Sequence, residues 1–113
     1  MSRPDNLSDN EKKALSEFKA ALSDMLGDRL VAVRLFGSRA RGDYDLSSDI
    51  DIAIIVRDLS TKLKHRILDL AADIEFLFII PLSVVVFSEN DFKDLKKRGR
   101  RIVLDIGAEG IAL

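Results

Sequence analysis

Cysteine is absent from the 113 residues, so disulfides, thiolate zinc sites and cysteine nucleophiles are all excluded. A single histidine likewise excludes a multi-histidine metal cage. Neither charge dominates: 18 Lys and Arg stand against 19 Asp and Glu, for a formal net charge of -1. That balance rules out a globally basic nucleic-acid coat and a disordered acidic tail, so any nucleotide contact must come from a local cluster. Long apolar runs are missing too. The greasiest stretch, Phe76 to Phe87, falls short of the ~20 residues that span a bilayer, and Pro81 and Ser83 interrupt it. Residues 1–13 are polar and lack the apolar centre of a signal peptide. The expectation is a soluble protein without membrane contact, compatible with a reducing, cytoplasmic location.

What is present is enough for a core and a charged coat: 47% hydrophobic and 33% charged residues in a length that suits one domain, 1–113. Ser8-Asp9-Asn10-Glu11 has the form of a capping box. Leu15, Phe18, Leu22 and Met25 follow at helical spacing, with Gly27 as the stop. Leu30–Phe36 and Ile50–Val56 are short aliphatic runs and read as strands, the second central because both its faces are apolar beyond its start. Asp58 and Ser60 offer caps for a helix whose buried stripe is Leu63, Ile67, Leu70, Ile74 and Leu77, closed by Pro81. Leu82–Phe87 is a third strand. Ser88 then caps a last helical region carrying Phe92, Leu95, Ile102, Val103 and Ile106, which Gly107 and Gly110 break ahead of an apolar tail. The order helix, strand, loop, strand, helix, strand, helix predicts an α/β fold with a small mixed β-sheet and helices packed on it.

The chemistry concentrates between Leu35 and Asp51. Asp49 and Asp51, two apart at a strand's start, project from one face with backbones roughly 7 Å apart. Carboxylates so converging repel unless a cation lies between them, and hard oxygen ligands suit magnesium alongside phosphate oxygens and water. Upstream, Gly37 lets backbone amides approach an anion closely, Ser38 adds a hydroxyl, and Arg39 and Arg41 add guanidinium groups suited to phosphate. Ser48 stands just before the acidic pair and either turns the chain or orients the pair. Phosphate donors beside metal ligands match a nucleoside triphosphate with Mg2+.

This segment resembles the nucleotidyltransferases of the DNA polymerase beta superfamily, which carry Gly-Ser, a spacer, then Asp-x-Asp on the next strand. Here the spacer from Arg39 to Ser48 is ten residues, as in the minimal nucleotidyltransferases, and the order of elements agrees along nearly the whole chain. The resemblance implies a polymerase-beta-like palm, with Gly37 and Ser38 on triphosphate oxygens and Asp49 and Asp51 on magnesium. It implies attack of a hydroxyl on the α-phosphorus with release of pyrophosphate. The family has a third carboxylate on the strand beginning here near Leu82. That strand contains no acid: Ser83 or Val85 takes the place, and Glu75 and Glu89 are the nearest substitutes. The smallest members of the superfamily often pair with a helical HEPN-type toxin and act as its antitoxin, in some cases by transferring AMP to a tyrosine of the partner. The length favours that minimal class over relatives with added domains.

Other features read more plainly. Gly37 and Gly42 have the spacing of a Walker A loop, but Asp43 and Tyr44 stand where lysine and serine or threonine are required. Asp43, Tyr44, Asp45 and Ser47 read as loop residues, the last as a cap or turn. His65 sits among Lys62, Lys64 and Arg66 as a solvated side chain. The basic cluster Lys93, Lys96, Lys97, Arg98, Arg100 and Arg101 is a solvated helix face or a contact for an acidic partner. Without interleaved aromatics, direct nucleic-acid binding is the lesser option. Two functions follow. One is a Mg2+-dependent transferase moving AMP from ATP to a hydroxyl of a HEPN-like partner. The other is a binding module of the same fold that neutralises a partner by contact alone. Homo-oligomerisation is left open.

Overall fold

A computed structural model describes residues 7–42 and 48–113. Asp43, Tyr44, Asp45 and Ser47, read above as loop residues, lie outside that range. Helix α1 (Asp9–Leu26) begins as its capping box dictates: the Ser8 hydroxyl accepts from Glu11 N–H, and the Glu11 carboxylate accepts from Ser8 N–H. It buries Ala14, Leu15, Phe18, Leu22 and Leu26, and Gly27 ends it at φ 53° before a single 3-10 turn. Strand β1 (Leu30–Phe36) leads into the one-turn helix α2 (Ser38–Arg41), and β2 spans Ile50–Val56. Helix α3 (Thr61–Phe78), capped by the Ser60 hydroxyl on Leu63 N–H, returns the chain to β3 (Leu82–Ser88). Asp58 caps nothing in that helix; it turns the chain at φ 54°.

With a short last strand, β4 (Ile111–Ala112), the sheet runs β3-β2-β1-β4, with β2 parallel to β3 and antiparallel to β1. It is mixed, as its order of elements predicted, and β2 is interior. Alternation along β2 divides its faces. Ile50, Ile52, Ile54 and Val56 join the core beneath α1 and α3, with Val33, Leu35, Phe18, Leu22 and Ile67. Asp51, Ala53 and Ile55 point to the other face, which α4 (Glu89–Lys97) and α5 (Arg101–Glu109) cover beyond Asp51. There Phe87, paired with Ile55, meets the ring of Phe92 edge-on at 5.6 Å. At the strand's start that covering ends. Asp51 therefore stands at the margin of a greasy sheet rather than within it.

Three expectations are corrected. Leu77 is 71% exposed, because the stripe of α3 drifts with its 3.6-residue turn: Ala71, Ile74 and Phe78 continue it, and Leu77 falls to the margin. The last helical region is broken at Gly99 (φ 69°), whose N–H reaches the Lys96 carbonyl, while Gly107 stays inside α5 and Gly110 alone caps it. The tail is a fourth strand, β4 (Ile111–Ala112), pairing with Arg34 and Leu35 of β1. Among the described residues no helix is long and apolar enough to cross a membrane.

Candidate active site

The site forms where β1 ends and β2 begins. Phe36 lies opposite Asp51, so the next residue, Gly37, turns directly across that carboxylate. Its backbone sits at φ 75°, ψ -157°, a region that only glycine enters without strain. A Cβ there would lie 2.3 Å from Asp51 Oδ2 and 3.2 Å from Cγ. Glycine is thus required twice, by dihedral and by the carboxylate. The Gly37 carbonyl then accepts from Ala40 and Arg41 N–H at 3.1 Å each, closing α2, while Gly42 ends the turn in the left-handed region at φ 88°. The opening amides of such a turn have no partner within it.

The charge of Asp49 acts on Asp51. Burial pushes the Asp51 carboxyl above its usual range, and the Asp49 charge pushes it further. A hydrogen bond with Ser83 and the positive charge of Arg41 pull the other way without cancelling the rise. Ser83 is Asp51's partner across the parallel β2–β3 pair, so serine, not Val85, stands beside the acid. A half-buried carboxylate whose charge is disfavoured, with a second acid two residues away, is a donor set short of positive charge. It fits a divalent cation such as Mg2+. Among the described residues no group of three Asp, Glu, His or Cys side chains converges.

The substitutes for the third acid do not join the pair. Glu89 follows β3 at the opposite end, six residues or roughly 20 Å beyond Ser83, and its carboxylate meets Arg57. Glu75 accepts from Leu82 N–H at 3.3 Å, at the right end of the sheet but tied to the turn into β3.

Arg39 requires a correction. Rather than reaching into solvent for phosphate, its guanidinium is 3% exposed and donates to Glu11 Oε1 at 2.8 Å and to the Ser48 carbonyl at 3.2 Å. It ties α2 to the capping box of α1 and to the chain entering β2. Burial raises the Glu11 carboxyl, but the bond and charge of Arg39 and the amide and hydroxyl of Ser8 outweigh it and hold the group below its usual range. Ser48 accordingly takes part through its backbone carbonyl. Arg41, one turn-face away, is exposed and acts on Asp51. The Glu11–Arg39 link had no signal in the sequence, since the partners lie 28 residues apart. The Ser83–Asp51 pairing had a weak one, in that both stand second in their strands.

Gly-Ser at one strand end and paired carboxylates at the start of the next sit on a mixed sheet of the nucleotidyltransferase fold. The solved structure described as a "putative minimal nucleotidyltransferase" superimposes with a TM-score of 0.57 at 27% identity, over 90% of this chain and 94% of the other. The family described as "Polymerase beta, Nucleotidyltransferase" matches residues 18–113. The chain belongs to that family. Two relatives from Methanocaldococcus jannaschii, each named "Putative protein adenylyltransferase", are 40% identical over 66% of this chain and 77% of their own length, and 37% identical over 87% and 95%.

Proposed function

We propose that this nucleotidyltransferase transfers AMP from ATP to a hydroxyl group of a partner protein. The observation that carries the reading is Asp51 packed against the backbone of Gly37, with the charges of Asp49 and Arg41 acting on it. The names of the M. jannaschii relatives support a protein as acceptor. Asp49 and Asp51 would hold Mg2+, which when bound offsets the charge of the triphosphate and of the departing pyrophosphate. Gly37 and Ser38 present amides and a hydroxyl to the phosphate oxygens, Arg41 adds a guanidinium charge, and Ser83 fixes the orientation of Asp51. In the transfer the acceptor oxygen bonds to the α-phosphorus as the bond from that phosphorus to the bridging oxygen breaks. Pyrophosphate leaves with the electron pair, and the hydroxyl proton passes to solvent or to a carboxylate of the pair.

The acceptor we assign is a HEPN-like helical toxin, with this chain as its antitoxin. One observation favours a second reading, neutralisation by contact alone: Ser83 stands where the family places an acid. α-Phosphate-labelled ATP, Mg2+ and the co-expressed partner separate the two. Label transferred by the native chain, and absent from an Asp49→Asn, Asp51→Asn variant, is the expected result. Partner binding without label in either protein would refute the transfer.

A further inference from the structure

Phe76, Leu77 and Ile79 are 83%, 71% and 89% exposed at the end of α3. The backbone works to keep them so. Ile79 caps the helix at φ 53°, ψ 56°, the left-handed region that a β-branched residue seldom enters and where glycine is usual. Three large apolar side chains so presented offer roughly 300–400 Å², the size of the largest patch on an ordinary monomer and a common mark of an interaction surface.

Position and size together indicate what meets it. The Pro81 carbonyl accepts from Ile50 N–H at 2.8 Å, between the two acids in sequence, and Leu82 and Ser83 lie opposite Ile50 and Asp51. The apolar turn therefore feeds β3 at the same end of the sheet as the candidate active site, where one strand spacing of about 4.8 Å separates Ser83 from Asp51. A permanent dimer buries about 1,000 Å² or more from each partner, over twice what this patch supplies, whereas transient encounters make do with less. Its surroundings are acidic: Asp69, Asp73 and Glu75 are exposed on α3, whose last turn carries no basic residue. We infer that Phe76, Leu77 and Ile79 dock the protein acceptor, through an apolar face of that protein rimmed by lysine or arginine, beside the Asp49–Asp51 site. The inference rests on the transferase reading above.

The test compares the native chain with a Phe76→Ser, Leu77→Ser, Ile79→Asn variant, asparagine being tolerant of the left-handed backbone. The probes are α-phosphate-labelled ATP with Mg2+ and the soluble proteins of the source cells, with affinity for a fluorescent ATP analogue measured separately. The expected result is at least tenfold less label on acceptor proteins, recovered as the acceptor extract is concentrated, with ATP affinity unchanged within twofold. Equal labelling by both proteins overturns the docking while leaving the transfer intact. ATP binding without label from either overturns the transfer reading, and the docking with it. Loss of ATP binding in the variant, or a native dimer that the variant dissolves in sedimentation, also overturns it, assigning the patch to the fold or to a second copy. Should the triple variant fail to fold by circular dichroism, Ile79→Asn alone is read by the same criteria.

Discussion

A Gly37→Ala substitution adds a methyl group where Asp51 leaves no room for one. The new Cβ would lie 2.3 Å from Asp51 Oδ2, well inside contact distance, so the carboxylate must swing away or the turn must shift. The dihedral cost comes on top, since φ 75° with ψ -157° is a glycine region and a side chain there costs about 1–3 kcal/mol. Displacing Asp51 from its rotamer adds about 1 kcal/mol. The expected loss is thus about 2–4 kcal/mol, a fall of about 6–20 °C in Tm for a domain of this size. A double-mutant cycle isolates the contact. In an Asp51→Ala background the oxygen and Cγ are gone and only the Cβ, 3.4 Å away, remains. Gly37→Ala should then cost less by about 0.5–1.5 kcal/mol. Thermal unfolding of the four proteins in EDTA reads this directly. A Tm change under 2 °C, or strictly additive losses, would refute the account of Gly37 as a residue fitted to Asp51.

Three more outcomes are expected. Asp51→Asn should raise the Tm of the metal-free protein, because burial and the Asp49 charge disfavour its ionised form, and should abolish any Mg2+-induced rise in Tm; a lower metal-free Tm would count against the repulsion. Ser83→Asp should do the reverse, destabilising the metal-free protein by about 1–2 kcal/mol through a third converging charge while tightening Mg2+ binding about tenfold by calorimetry. Glu11→Gln should cost about 1–3 kcal/mol by replacing the charge-assisted bond from the buried Arg39 guanidinium with a neutral one. Because the Glu11 carboxyl lies below its usual range in the folded protein, this stability is present above the unfolded pKa and lost as pH falls through the folded one. Native and Glu11→Gln unfolding curves should therefore converge in acid; a difference independent of pH would mean that the ion pair is not its source.

What the sequence determined alone was everything encoded within a turn or a strand of itself. Ser8 with Glu11, and Ser60 and Ser88 as hydroxyl caps, announce helix starts because capping is a contact over three residues. The aliphatic runs 30–36 and 50–56 are strands to the residue, and Gly37, Ser38, Asp49 and Asp51 stand out as the candidate site because their residue types and spacing are chemically unusual. Tertiary structure decided whatever depended on register and on which neighbour covers which face. Arg39 carries a phosphate-seeking group, yet α1 places Glu11 against it, and a buried guanidinium with a carboxylate at 2.8 Å is committed. Leu77 has helical spacing, but the stripe drifts past it. Glu75 and Glu89 are equally acidic on paper, and a parallel strand of seven residues sends one to each end of the sheet. The same register sets Ser83 beside Asp51, since a two-residue alternation fixes which side chains share a face only once the pairing of the strands is known.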